Sequence, residues 1–106
     1  MALFEEHCAP IEKGSSPMDT DEASALATEI PAWTLRDAAL TREWTLKDFR
    51  AAMAMVDHVA DLAEEEQHHP DIYVSYNKVR LELSTHKIGG LSRNDFILAA
   101  KIDRIG

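Results

Sequence analysis

The stretch Ile72–Leu83 constrains the fold most, because it contains two alternating segments with a turn signal between them. Apolar side chains occupy every second position on both sides of the turn, as in two half-buried strands. Asn77 tolerates the positive φ that tight hairpins need, so we predict a two-residue turn within Tyr76–Val79. This turn would send the apolar side chains of both strands to one face. The predicted pairs are Tyr76 with Val79, Val74 with Leu81, and Ile72 with Leu83.

The predicted hairpin brings three of the five histidines to its open end. Continuing the pairing beyond the strands sets His69 opposite His86. Pro70 cannot donate a ladder hydrogen bond, so we expect the regular pairing to end there. The segments 68–70 and 84–86 should therefore lie close together. Imidazoles exchange protons near neutral pH, so this cluster predicts a functional site.

A long amphipathic helix is predicted between Thr45, its expected cap, and Gln67. Apolar residues at steps of four, three, four and three would form one buried stripe. The acidic run 64–66 at the end of this helix is interpreted as a solvated face. The predicted stripe comprises Phe49, Met53, Val56, Ala60 and Ala63.

Shorter elements are predicted on both sides of this helix. Asp19 caps a first helix, and Ser92 caps a last one in which Asp95 reaches back in a capping box. Trp33–Leu35 and Ala39–Trp44 are predicted to be short strands. The order α-β-β-α-β-β-α predicts an α+β fold, a four-stranded antiparallel sheet with the helices packed on one face.

Length and composition limit the domain organisation and the partners. The 106 residues are enough for one domain, which we place at 19–106. Residues 1–18 contain glycine, serine and proline among scattered charges and are predicted to be a flexible N-terminal arm. The net charge of -8 argues against direct binding of nucleic acid or of anionic membranes. The N-terminus has no apolar targeting segment, and Cys8 is the only cysteine, so we expect a cytoplasmic protein without an intrachain disulfide.

The spacing of Glu64, the triplet His68–Pro70, Tyr76, His86 and Asp95 resembles the signature of the pterin-4a-carbinolamine dehydratases. The adjoining strings YNKV, LSTH and GLS add to the resemblance, which runs from about residue 19 to the C-terminus. It implies the same α+β fold and the dehydration of 4a-hydroxytetrahydropterin to quinonoid dihydropterin, a step of tetrahydrobiopterin recycling. It further implies no metal, no organic cofactor, and a homodimer or homotetramer.

The resemblance also implies which residues form the site. Its three catalytic histidines correspond to His68, His69 and His86. We assign His68 and His86 as the acid and base pair, and His69 mainly to substrate binding. Glu64 would hold a histidine in one tautomer. The other implied substrate-binding residues are Gln67, Pro70, Ser84, Thr85, Lys87 and Asp95, although the capping box alone also explains Asp95.

Two alternatives remain open at the level of sequence. Glu64 and His68 share a helix face, and with His69 and His86 they could form a zinc site. The second alternative is a non-catalytic dimerisation or binding module on the same fold. Retention of three histidines in one cluster argues against that module.

Overall fold

The computed structural model describes residues 2–105. Within them, three α-helices and four β-strands follow the predicted order, with short 3-10 turns at Leu3–Glu5 and His86–Ile88. The α+β prediction is confirmed. The elements are α1 (Thr20–Ala27), β1 (Thr34–Arg36), β2 (Ala39–Thr45), α2 (Phe49–Glu66), β3 (Asp71–Ser75), β4 (Lys78–Leu83) and α3 (Arg93–Ile102).

The four strands form one antiparallel sheet in the order β1-β2-β4-β3. Central strand β4 alternates as the sequence predicts, since Val79, Leu81 and Leu83 are fully buried while Arg80 and Glu82 lie on the other face. Helix α2 packs against β4, and α3 packs beside α2. The core therefore lies between one face of the sheet and the helices.

The hairpin register differs from the prediction by two residues. Val74 pairs with Val79 and Ile72 pairs with Leu81, so the predicted pairing of Tyr76 with Val79 is wrong. Because the shift is even, every side chain keeps its predicted face.

A tertiary contact explains this register. The Asn77 side chain donates to the Leu46 carbonyl at 2.9 Å, and the Leu46 amide donates to the Asn77 carbonyl at 2.7 Å. These bonds tie the turn to the segment between β2 and α2. Tyr76 rather than Asn77 takes the positive φ, at 50°. The turn preferences of the hairpin residues cannot predict this register, because Leu46 lies outside the hairpin.

The β3–β4 ladder ends at Asp71 opposite Glu82, one residue after Pro70. The expectation that regular pairing stops at Pro70 is confirmed. His69 and His86 both lie beyond the ladder, so no ladder pair joins them.

Helix α2 begins later than predicted. Asp48 caps it by accepting a hydrogen bond from the Ala51 amide at 2.8 Å. Thr45, the predicted cap, is instead the last residue of β2.

The buried side of α2 also differs from the prediction. Alanine and methionine occur on both sides of this helix. The sheet covers the side that includes Ala63, and Phe49 and Met53 lie on the other side. Phe49 is 50% exposed and Met53 is 37% exposed. The residues that are buried are Ala52, Met55, Val59, Ala63 and Glu66.

None of the helices in the described part of the chain combines the length and apolarity required to cross a bilayer.

The N-terminal arm, residues 1–18, is anchored to the domain from residue 3 onward. Leu3 is 3% exposed and belongs to the hydrophobic core. The Arg93 guanidinium donates to both carboxylate oxygens of Glu6 at 2.7 Å. The segment predicted as a flexible arm therefore makes packing contacts with the domain, while the domain boundary at residue 19 stays a prediction.

The alternation in β4 yields a test of the two sheet faces. We expect Leu81→Ala to lower the free energy of unfolding by about 2–4 kcal/mol, because it removes fully buried methyl groups from a packed core. Glu82→Ala is the matched control, since its side chain is 34% exposed. Urea denaturation of both variants measures the difference. Equal losses would contradict the assignment of the faces.

Candidate active site

A cleft of about 670 Å³ lies where the end of α2, the end of β4 and the N-terminal arm meet. His68, His69 and His86 all line it, so the structure brings the three predicted histidines together. Of the predicted binding residues, Gln67, Ser84, Thr85 and Lys87 also line the cleft, whereas Glu64, Pro70 and Asp95 do not.

The end of α2 separates the two adjacent histidines. Gln67 adopts the left-handed conformation, with φ 53° and ψ 42°, and its side chain donates to the Glu64 carbonyl at 2.7 Å. The His68 amide still bonds to the Ala63 carbonyl at 3.1 Å. This turn lets His68 face α3 while His69 faces back towards Glu64.

His68 is held by a buried carboxyl group. Its Nε2 lies 2.6 Å from Oδ1 of Asp95, and the two side chains are 12% and 0% exposed. A carboxylate oxygen only accepts hydrogen bonds, so Nε2 carries a proton and donates it. In the neutral imidazole, Nδ1 is then free of hydrogen and can accept a proton.

The second oxygen of Asp95 is held equally firmly. Oδ2 accepts from the Thr85 hydroxyl at 2.8 Å and from the Ser92 amide at 3.0 Å. The Thr85 and Ser92 hydroxyl oxygens lie 2.7 Å apart, and all three residues are buried. Because Thr85 gives its hydrogen to Asp95, Ser92 donates to Thr85. This network fixes the direction in which Asp95 holds His68.

His69 is paired with Glu64, the residue that the resemblance implies would hold a histidine in one tautomer. Its Nε2 lies 2.5 Å from Oε2 of Glu64, and the side chains are 56% and 73% exposed. Glu64 thus contacts His69 and not His68. Because water reaches both groups, this pair constrains the imidazole less than Asp95 constrains His68.

His86 is the most accessible histidine of the cleft. It opens the 3-10 turn His86–Ile88, which is closed at its base by a bridge between Thr85 and Gly90. Its side chain is 78% exposed, and Nε2 lies 3.9 Å from Oδ2 of Asp71. Since β4 ends at Leu83, His86 lies beyond the strand and on this turn.

Glu66 also lines the cleft, and the sequence interpretation missed it. Its Oε1 accepts from the Cys8 amide at 2.7 Å, and its Oε2 lies 2.8 Å from Nδ1 of His7 and 3.8 Å from the Lys101 ammonium. Burial alone would raise the pKa of Glu66, but these bonds and the Lys101 charge outweigh burial, and the pKa is lowered. Glu66 lies three residues after buried Ala63, so extending the correct helical stripe would have identified it.

The N-terminal arm contributes a further part of the cleft. Its segment Cys8–Ile11 lines the cavity. The Asn94 side-chain amide bridges Ala9, donating to its carbonyl at 2.7 Å and accepting from its amide at 3.0 Å. The composition of the arm predicts a flexible segment, and no local sequence pattern predicts these contacts.

The histidines do not converge on one point. Each faces a different carboxylate, Asp95, Glu64 or Asp71. Residues 2–105 contain no group of three or more histidine, cysteine, aspartate or glutamate side chains arranged to hold a metal ion. The zinc alternative therefore lacks a ligand set within this part of the chain.

Comparison with known proteins identifies the family. The family model described as "Pterin 4 alpha carbinolamine dehydratase" matches residues 16–105. The chain belongs to this family. Membership assigns it hydro-lyase activity on a pterin carbinolamine, as the resemblance implies.

Relatives of similar length support this membership. A protein of Halorhodospira halophila is 40% identical over 100% of this chain and 99% of its own, and one of Nitrosomonas eutropha is 42% identical over 97% and 92%. Both are named "Putative pterin-4-alpha-carbinolamine dehydratase".

Solved structures support the fold. A crystal structure of a transcriptional coactivator/pterin dehydratase from Brucella melitensis superposes with a TM-score of 0.78 at 28% identity, covering 83% of this chain and 96% of the other. A pterin dehydratase-like RuBisCO assembly factor of the alpha-carboxysome shares the fold alone, with a TM-score of 0.55 at 22% identity over 67% of this chain and 82% of its own.

The contacts of Cys8 predict a pH-dependent reactivity. Burial raises the pKa of its thiol from 9.0 to about 12, and the nearby Glu66 and Asp95 act in the same direction. Because the folded-state pKa is raised, this group favours the folded state below pH 9, and that contribution fades as the pH rises towards 12.

At pH 8 we therefore expect iodoacetamide to alkylate Cys8 at least ~10-fold more slowly in the native protein than in urea-unfolded protein, because the thiolate is the reactive species. Mass spectrometry of timed samples measures both rates. Equal rates would show that the arm is not docked on Glu66.

Proposed function

We propose that the cleft dehydrates a 4a-hydroxytetrahydropterin to the quinonoid dihydropterin and water by histidine acid–base catalysis, in tetrahydrobiopterin recycling. One observation carries this proposal. His68, whose Nε2 is bound to fully buried Asp95, lines the same cleft as His69 and His86. Such an arrangement leaves one oriented imidazole nitrogen for proton transfer.

The reaction needs two proton transfers, which suit imidazoles. The bond between C4a and the hydroxyl oxygen breaks, and the hydroxyl takes up a proton to leave as water. The N5 proton is removed, and its electron pair forms the N5–C4a double bond. Groups that titrate near neutrality can perform both steps without a Lewis acid or an organic cofactor.

The geometry supports a division of these steps between two histidines. His68 acts as the base, because its Nε2 proton is committed to Asp95 and its Nδ1 is the nitrogen left to accept the N5 proton. Asp95 then stabilises the imidazolium that forms, as the orienting carboxylate does in a serine-protease triad. His86 acts as the acid, because its exposed ring can regain a proton from water after each turnover.

The remaining residues bind or position. His69, steadied by Glu64, orients the substrate, with Gln67, Ser84 and Lys87 on the cleft surface. Thr85 and Asp95 act through His68 and are positioning residues rather than contacts to the pterin.

A homo-oligomer also stays part of the proposal. Phe49 and Met53 form an apolar patch on the outer side of α2, at 50% and 37% exposure. Edge strand β3 adds Tyr73 at 47% and Val74 at 38%. Exposed apolar surfaces of this kind suit packing against a second copy of the chain.

The histidine roles predict a kinetic pattern. We expect His68→Ala and His86→Ala each to lower kcat by roughly 10²–10⁴-fold, the usual contribution of a positioned acid or base. The double variant should lose less than the product of the two, because both act on one substrate. We expect His69→Ala to act mainly on KM. Steady-state kinetics measures all four, with circular dichroism as the check of folding.

The matched control is His58→Ala, since His58 is an exposed histidine of α2 outside the cleft. Wild-type kcat in both folded variants, His68→Ala and His86→Ala, would refute the assignment of the two histidines. Absence of turnover in the folded wild-type protein would favour the binding module.

Asp95→Asn tests the tautomer of His68. The Ser92 amide can only donate, so the new carboxamide oxygen should stay with Ser92 and its NH2 group should face His68. Nε2 must then accept, which moves the imidazole proton to Nδ1 and removes the base. We expect kcat to fall on the order of 10²-fold or more, as in other carboxylate–histidine pairs with a reversed tautomer.

The readouts are kcat and the 15N chemical shifts of the His68 ring. Glu64→Gln makes the same change at the exposed His69 pair and should mainly alter KM. A folded Asp95→Asn variant with wild-type kcat and a proton still on Nε2 would contradict the proposed role.

A further inference from the structure

We propose that the arm segment Cys8–Ile11 is a substrate-binding wall of the active site and that Glu66 is the positioning residue that holds it there. The inference rests on the proposed function, and it specifies how the cleft would bind the flat face of a pterin ring. Neither Glu66 nor this segment has a part in the acid–base scheme above.

The arm supplies the apolar part of the cleft. Cys8, Ala9, Pro10 and Ile11 are four consecutive lining residues without a charged side chain, and every other lining residue is polar or charged. A pterin has hydrogen-bonding atoms around its edge and two faces that form no hydrogen bonds. Polar side chains suit that edge, and an aliphatic wall suits a face.

The backbone of the wall is fixed at successive residues. Cys8 donates its amide to Glu66 at 2.7 Å, and the Asn94 side chain pairs with both the carbonyl and the amide of Ala9 at 2.7 and 3.0 Å. Side chains on a segment held in this way keep one arrangement, so the wall is preorganised before substrate enters.

The last contact of the segment joins the wall to the loop that carries His86. The Lys87 ammonium donates to the Ile11 carbonyl at 3.1 Å. This bond connects the wall to the turn that contains the proposed acid.

Glu66 holds the arm through a buried carboxylate. Its side chain is 3% exposed, and the arm supplies two of its three partners, the Cys8 amide and the His7 ring. A buried carboxylate without partners is strongly unfavourable, so the docked arm and Glu66 stabilise each other.

Ile11→Ala and Ile11→Asp test the wall directly with a 4a-hydroxytetrahydropterin as substrate. We expect Ile11→Ala to raise KM roughly three- to tenfold, with kcat within about twofold, because it removes apolar contact made equally in ground and transition states. Ile11→Asp should raise KM further, because it places a charge against the ring face. Lys13→Ala is the matched control, an exposed arm residue outside the cleft.

Glu66→Ala and Glu66→Gln test the anchor. We expect Glu66→Ala to raise KM and to speed alkylation of Cys8 at pH 8. Glu66→Gln should keep KM and the alkylation rate of Cys8 closer to the wild-type values, because its amide oxygen can still accept from the Cys8 amide. Should Glu66→Ala fail to fold, the Gln variant and the two Ile11 variants decide the question.

Binding of a stable 7,8-dihydropterin, measured by calorimetry, separates this inference from the proposed function. An unchanged KM in folded Ile11→Asp, with His68→Ala inactive, overturns the wall and leaves the dehydratase. A wild-type protein that binds the dihydropterin without turnover, and loses binding in Ile11→Asp but not in Lys13→Ala, overturns the dehydratase and supports the wall. Absence of both binding and turnover in the wild type overturns both.

Discussion

The buried carboxyl group of Asp95 is the interaction on which the site depends, because its two oxygens serve two different parts of the molecule. Oδ2 accepts from Thr85 and from the Ser92 amide just before α3, while Oδ1 accepts from His68 after the end of α2. One fully buried group thus joins three elements and sets the orientation of one imidazole. A shift of any of these elements would leave a buried donor without its acceptor, which costs more than an exposed bond gains.

The glutamates of the acidic run at the end of α2 have different partners because of helix geometry. Glu64 and Glu66 are two residues apart, so they project from different sides of the helix. Glu64 faces solvent and reaches His69, whereas Glu66 faces the core and binds the arm. Gln67 then ends the helix in the left-handed conformation and separates His68 from His69. A stretch that looks like a uniform charged face therefore builds two sides of the cleft.

These contacts explain how far the sequence alone could predict the structure. Alternation and capping signals are local, so the order of elements, the faces of β4 and the Asp95 cap could be predicted, and the spacing of the histidines identified the family. The register of the hairpin could not, because Leu46 sets it from outside the hairpin. The buried side of α2 could not, because both of its sides are apolar enough to pack. The docking of the arm depends on Glu66 and Asn94, which are distant in sequence.

The exposure of the three histidines follows the chemical roles proposed for them. Their side chains are 12%, 56% and 78% exposed for His68, His69 and His86. A base that must remove one specific proton gains from a fixed direction, which only a buried partner such as Asp95 can impose. An acid that must be recharged in each cycle gains from contact with water. His68 is bound to Asp95 of α3, and His86 lies on an open turn, so a single cleft offers both environments to one substrate.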